Sequence, residues 1–378
     1  MRKFLYSLLI LFSTLIFFCE KGEKLKIGLI APLTGDVKTF GESVKNGFLL
    51  AIEESNQKGG ILNKKIEYVI CDDKNDPTEA ANAAYKLINQ DRVKAIIGSV
   101  ASKASIPVSE ICEQAKIVMI TPTSTNPKVT VKEDGTRKRY VFRACFIDPF
   151  QGKVAATFAL KHLNKKTAAI LYDVGNDYVK GLAEYFKASF EEGGGRVLLF
   201  ESYSKDDVDF SALLTKVKQL NPEILFLPDY YTKVGLIAKQ ARQLGIKSVL
   251  MGGDGWDSPD IIKIAGEAID GGYFTNHYSP EDPRKEVQEW VKKYQERYGK
   301  IPDALATLAY DATNLLLTAI SKANSFEPDK IREALENIKE FNTVSGKIVF
   351  DENGNPIKDA VIMQYKNGKA TYVTTIHP

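Results

Sequence analysis

The chain has 378 residues, 44% of them hydrophobic, and a formal charge of +3 from 51 basic and 48 acidic side chains. Charge this evenly balanced, with no basic cluster, gives no footing for nucleic-acid binding. The composition is that of a folded globular protein, long enough for two domains of ordinary size.

At the N-terminus, Arg2 and Lys3 precede an uncharged, mostly apolar stretch, Phe4 to Phe18, which ends at Cys19 and gives way to Glu20-Lys21-Gly22-Glu23-Lys24. This is the layout of a secretory signal, with an apolar region short of the ~20 residues of a membrane span. A Cys in that place points to a lipoprotein with the lipid on Cys19, and so to an extracytoplasmic, membrane-anchored protein. Ile16-Phe17-Phe18 lacks the small residues usual before such a Cys, and an uncleaved N-terminal anchor stands as the alternative. No second apolar run is long enough to cross a bilayer.

From Lys26 onward strands and helices alternate. Lys26–Ala31 reads as a buried strand; Val44, Phe48, Ala51 and Ile52 fall at helical spacing, and Gly59-Gly60 ends that helix. Ile66–Cys71 is the next strand. Asp76-Pro77-Thr78-Glu79 then supplies an N-cap, a proline at the first helical position and a glutamate at the third. Ala95–Gly98, a helix near Pro107–Gln114, and Val118–Ile120 continue the alternation. After Tyr140–Cys145 it restarts, with strands at Ala168–Tyr172, Val197–Phe200, Ile224–Leu227 and Val249–Met251 and helices at Val179–Glu191, Phe210–Gln219 and Val234–Gln243. Helical spacing returns at Pro283–Tyr298, Asp303–Ala323 and Asp329–Lys339, and Asp351-Glu352-Asn353-Gly354 reads as the turn of a hairpin. Such alternation predicts two doubly wound α/β lobes with parallel sheets covered on both faces.

In open parallel sheets ligands lie beyond the carboxyl ends of the strands. Two hydroxyl-rich loops follow successive strands there: Gly98-Ser99-Val100-Ala101-Ser102-Lys103-Ala104-Ser105 and Thr121-Pro122-Thr123-Ser124-Thr125-Asn126-Pro127. Together they suit a neutral surface that holds a small anion such as a carboxylate. Each by itself also fits turns and helix caps without a ligand. Asp254, between glycines in Met251-Gly252-Gly253-Asp254-Gly255-Trp256, follows a strand of the second half and offers the opposite charge; alone it reads as a turn or N-cap residue.

Catalytic patterns are missing: no GxGxxG follows the first strand, and there is no GxxxxGK[ST], GxSxG or HExxH. The histidines His162, His277 and His377 have no metal or triad spacing, and Pro77 stands where a calcium loop built on Asp72–Asp76 needs Gly. Neither a cofactor nor a metal is expected. Cys71, Cys112 and Cys145 form no CxxC pattern, and one disulfide among them is possible.

The chain resembles the periplasmic branched-chain amino-acid-binding proteins, the type one solute receptors of ABC importers. The resemblance runs in order through KIGLIAPLTGDVKTFGESVKNG, NQKGGI, DDKNDPTEAANAAYKLI, AIIGSVASKAS, MITPTSTNPKVT, VFRACFIDPFQG, DYVKG, DFSALLTKVK, YYTKVGLIAKQARQLG, MGGDGW and LAYDA. It implies two lobes joined by a three-strand hinge, lobe 1 from 24–145 and 278–348 and lobe 2 from 146–277 and 349–378. It also implies an amino-acid ligand, branched-chain or otherwise hydrophobic, an inner-membrane ABC permease as partner, a monomer, and no enzymatic activity.

Site residues follow from the same resemblance. Ser102 and Thr125 match the groups that hold the ligand carboxylate. The Thr123 carbonyl, the Thr125 hydroxyl and Asp254 match the acceptors of its ammonium, where many relatives have Glu in place of Asp254. Phe40, Tyr178 and Tyr230 match aromatic walls, Trp256 is a candidate further wall or an exposed hinge-side residue, and Asp148 matches a position near the hinge and cleft. The disulfide of some relatives falls on Asn75 and Ala101 and has no counterpart. A urea or short-amide receptor, a ligand sensor of the same fold and, from another class, a hydrolase of an amino-acid derivative are the competing readings.

Overall fold

A computed structural model describes residues 25–378; the signal segment and Cys19 lie outside the described residues. The first sheet is wholly parallel, with strand order β2-β1-β3-β4-β5, built from β1 (Leu25–Ala31), β2 (Ile66–Asp72), β3 (Ala95–Ile97), β4 (Val118–Thr121) and β5 (Val141–Arg143). Its helices include α1 (Lys38–Gln57), α2 (Pro77–Tyr85) and α3 (Ser102–Ala115). The strands are nearly continuous apolar runs because both faces are covered. Asp76 caps α2 as its sequence predicts, accepting from Thr78 N at 2.8 Å and Glu79 N at 3.0 Å.

The second sheet repeats the winding. It comprises β6 (Thr167–Asp173), β7 (Arg196–Tyr203), β8 (Ile224–Phe226), β9 (Val249–Gly252) and β10 (Tyr273–Asn276), in the order β7-β6-β8-β9-β10, and α4 (Asp148–Thr157) and α5 (Asp177–Glu192) follow β5 and β6. The three short strands β11 (Phe341–Thr343), β12 (Gly346–Phe350) and β13 (Pro356–Ile357) form their own antiparallel sheet, which runs across position 348. The hairpin β14 (Ala360–Lys366) and β15 (Lys369–Ile376) then adds antiparallel strands to the edge of the second sheet beside β10. In both sheets the strand order reverses beside the first strand of its lobe, which opens a crevice at the carboxyl ends.

The long helix Ala304–Ala323 returns to pack on α1. The approach is close enough that a Cβ on Gly47 would sit 2.0 Å from the Ala306 carbonyl oxygen, so a side chain there has no room.

Two local expectations are corrected. Helix α3 begins at Ser102, ahead of the expected helix near Pro107–Gln114, and Pro107 lies inside it although a proline disfavours helix at the residue before it. Cys71, Cys112 and Cys145 are all free thiols, and burial pushes Cys145 up to about 12, so the one possible disulfide does not form. The hairpin turn expected at Asp351–Gly354 joins β12 to β13, and a second hairpin, β14–β15, turns at Asn367-Gly368.

Candidate functional site

The two hydroxyl-rich loops meet at the carboxyl ends of β3 and β4, and most of their hydroxyls brace one loop against the other. Thr121 Oγ1 donates to Ser99 O at 2.7 Å, Thr123 Oγ1 to Val100 O at 2.8 Å and Ser124 Oγ to Val100 O at 2.9 Å. Ser102 opens α3 and its Oγ accepts the Asn126 N–H at 3.2 Å. Asn126 ends the cluster by capping the short turn Pro127–Val129, its Oδ1 accepting from Lys128 N at 3.0 Å.

Arg143, at the end of β5, underpins this loop. Fully buried, it donates to Ser124 O at 2.6 Å, Asn126 O at 3.0 Å and Thr130 Oγ1 at 3.0 Å. Strong donors to buried carbonyls fix the loop's path and place a cation beneath it. Thr125 is left over: its hydroxyl is buried and makes no hydrogen bond within the chain.

Across the cleft, Asp254 begins a short helical turn after β9 and does not cap it. Its Oδ1 accepts from Gln151 Nε2 at 2.8 Å and from Tyr178 Oη at 2.8 Å, and its Oδ2 lies 3.0 Å from His277 Nε2. Gln151 also donates to Thr275 Oγ1 at 2.9 Å, and Phe146 stacks on the His277 ring with centroids 3.7 Å apart. Burial lowers the His277 pKa, with Asp254 opposing, so the imidazole is a neutral donor through Nε2 near neutral pH. The carboxylate is thus fixed in one orientation by three partners.

Between these halves is a narrow cavity, about 320 Å³ of empty space including its open mouth, lined by Phe40, Ser102 and Thr123 from one side and Tyr178, Tyr230 and Asp254 from the other, with Val100, Ala101, Gly255 and Leu305. Tyr178 and Tyr230 stack with centroids 5.3 Å apart, and Phe40 meets Tyr230 edge-on at 5.6 Å. Six of the seven residues marked in the sequence therefore line one cavity, and Thr125 is the exception.

The lobes are closed around the cavity. Asn126 Nδ2 donates to Asp177 O at 2.9 Å, Tyr231 Oη to Asp36 O at 3.1 Å, and Ala304 N to Asp257 Oδ2 at 2.8 Å.

Two expectations change here. Trp256 is fully buried and donates through Nε1 to Leu227 O at 2.9 Å; it is neither a wall nor exposed, because the indole fills the space beneath β9. Asp148 is also fully buried, and neither of its oxygens reaches hydrogen-bond geometry. Burial pushes its carboxyl up to about 8, with the neighbouring Thr125 hydroxyl opposing and the Asp254 charge adding to the rise.

The sequence reading passed over Gln151, His277 and Leu305. Gln151 lies three residues after Asp148 on the same helix, a spacing that signals a shared face. A single His after a strand carries no signal by itself.

With this geometry in view, the comparisons are decisive. The sequence profile of the family described as periplasmic binding protein matches residues 24–370. The chain belongs to the periplasmic binding protein family. It is 36% identical over 331 residues to the Leu/Ile/Val-binding protein BraC3 of Rhizobium johnstonii, covering 87% of this chain and 88% of that one. It is 34% identical over 337 residues to the leucine-, isoleucine-, valine-, threonine- and alanine-binding protein of Pseudomonas aeruginosa, with 88% and 87% covered.

Among solved structures, a leucine-binding protein of Thermotoga maritima superposes with a TM-score of 0.89 at 42% identity, covering 94% of this chain and 99% of that one. The branched-chain amino-acid transporter substrate-binding protein of Streptococcus pneumoniae, solved with isoleucine, gives 0.88 at 30% identity, with 94% and 100% covered. The fold is therefore that of a type one periplasmic binding protein, with two lobes and a cleft between them.

Proposed function

We propose that this periplasmic binding protein captures a single amino acid with an aliphatic side chain, leucine, isoleucine or valine, in the cavity between its lobes and delivers it to an ABC importer. The observation that carries the reading is the arrangement of the cavity: neutral donors at one end, a triply anchored carboxylate at the other and stacked aromatic rings along the wall.

A zwitterion enclosed in a cleft loses hydration at both charges, and each unmatched charge costs ~1–3 kcal/mol or more. Ser102 and the Thr125 N–H supply donors for the ligand carboxylate, on a loop whose peptide groups Arg143 holds in place. Asp254 takes the ammonium, helped by the Thr123 carbonyl. Phe40, Tyr178, Tyr230 and Leu305 enclose the side chain. Because the groups come from both lobes, ligand favours the closed form over the open one by differential contact.

In the same proposal the protein works as a monomer outside the cytoplasmic membrane, anchored through lipid on Cys19, and binds without turnover. Lobe 1 takes 24–145 and 278–348, and lobe 2 takes 146–277 and 349–378. The family's description as a periplasmic binding protein supports the location and the binding role, and the repeated winding of the two sheets supports the two lobes.

The test is isothermal titration of residues 20–378, unfolded and refolded to strip carried-over ligand, against leucine, isoleucine, valine, phenylalanine, alanine, glutamate and urea. One-site saturation by an aliphatic amino acid, with no product formed, supports the reading. Heat only with urea or an amide would overturn it.

A further inference from the structure

A second cavity, about 1130 Å³ including its open mouth, lies at the hinge between His277–Ser279, the turn joining β11 to β12, and the segment Ile357–Asp359. Most charged side chains on its wall have a counter-charge. Arg284 pairs with Asp282 at 2.9 Å and Lys347 with Glu340 at 2.5 Å, while Asp359 Oδ1 lies 2.8 Å from His377 Nδ1. Lys358 differs. It is 4% exposed, no carboxylate of the described residues lies within ion-pair distance, and its Nζ donates to one neutral partner, Ser345 Oγ, at 2.6 Å. Asp311 attracts it from beyond contact, and that carboxylate already accepts from Val344 N and Ser345 N, each at 3.0 Å. Burial lowers Lys358 to about 8, which leaves it mostly protonated at neutral pH.

One further polar atom of a residue on the same wall is orphaned. His277 Nδ1 is buried without a hydrogen-bond partner, in a residue 3% exposed. Its chemistry is complementary to that of Lys358. With Nε2–H turned to Asp254, the neutral His277 ring presents Nδ1 as an acceptor, while Lys358 offers donors. A buried ammonium without a counter-ion in contact is costly. An occupant that settles both is an anion that also carries an O–H.

We propose that the hinge cavity binds inorganic hydrogen phosphate, whose oxygens accept from Lys358 Nζ and whose O–H donates to His277 Nδ1. Sulfate has the same shape and charge but no proton at neutral pH, so it meets Nδ1 with a bare oxygen. The site lies where the chain passes between lobes, on the opposite side of the His277 ring from Asp254.

The test is titration of sodium phosphate and of sodium sulfate into the ligand-free protein at pH 7 and constant ionic strength, with gluconate as the balancing anion. Saturable one-site binding of phosphate, at least about tenfold tighter than sulfate, is expected from one gained and one avoided polar mismatch. Lys358→Met abolishes it. Equal affinity for the two anions, no saturation by phosphate, or unchanged phosphate affinity in Lys358→Met would each overturn the proposal. The phosphate–sulfate comparison, made on the unaltered chain, keeps the test decisive if Lys358→Met fails to fold. No amino acid is present, so the result is independent of what the cleft captures.

Discussion

His277 Nε2 lies 3.0 Å from Asp254 Oδ2, on the side of the carboxylate opposite to Gln151 and Tyr178, which both hold Oδ1. A carboxylate restrained on both oxygens cannot rotate away from a ligand ammonium. His277→Ala is expected to weaken leucine binding about tenfold, the loss of one hydrogen bond to a charged group. Calorimetry checks it; an unchanged affinity would mean that Gln151 and Tyr178 suffice to hold Asp254.

Gly253 lies against the same network. A Cβ there would sit 2.5 Å from Tyr178 Oη, 2.6 Å from Leu182 Cδ2 and 3.1 Å from Gln151 Nε2. Gly253→Ala should therefore cost ~1–3 kcal/mol of stability through overpacking and should also weaken amino-acid binding, because it displaces two donors of Asp254. A variant with wild-type melting temperature and affinity would show that this packing relaxes freely.

The Asp148 carboxyl makes stability depend on pH. It is pushed up to about 8 in the folded chain, against about 3.9 when unfolded. Between those values the folded state holds a proton that the unfolded state has released, so stability falls as pH rises toward 8. Asp148→Asn removes this dependence. Its melting temperature relative to wild type should rise by at least about 2 °C between pH 5 and pH 8, and a constant offset across that range would contradict the assignment.

Closure is testable away from the ligand. Tyr231 Oη donates to Asp36 O at 3.1 Å between the lobes, and Tyr231 does not line the ligand cavity. Tyr231→Phe removes that contact together with the hydroxyl's interaction with Thr39 and should weaken leucine binding about threefold to tenfold, about one neutral hydrogen bond formed on closing. Small-angle scattering should show a smaller radius of gyration with leucine than without it in the wild type; no change on binding would argue against hinge closure.

Ser102 and Thr125 test the carboxylate end. Ser102→Ala, which removes a carboxylate donor, and Thr125→Val, which removes an ammonium acceptor but keeps the N–H on the carboxylate, are each expected to weaken every amino-acid ligand about fivefold to thirtyfold, ~1–2 kcal/mol, without changing the preference among side chains. A loss confined to one side chain would place these residues elsewhere in the site.

What the sequence determined by itself is the alternation of buried strands and amphipathic helices, the cap of α2 at Asp76, and the position of the hydroxyl loops beyond β3 and β4. These are local properties: burial on both faces dictates apolar runs, and a cap needs only its own first turn. The order of resembling segments added the expected cavity residues, six of which meet there.

The tertiary structure alone decided which partners each residue has. Gln151 reaches Asp254 across 103 positions, and Tyr178 across 76. It buried Trp256 under β9, left the Thr125 hydroxyl without a partner and stranded Lys358 without a carboxylate. Periodicity encodes which face of an element is buried, but the neighbour across that face is set by sheet order and by the meeting of two lobes, and neither is written in any local stretch of chain.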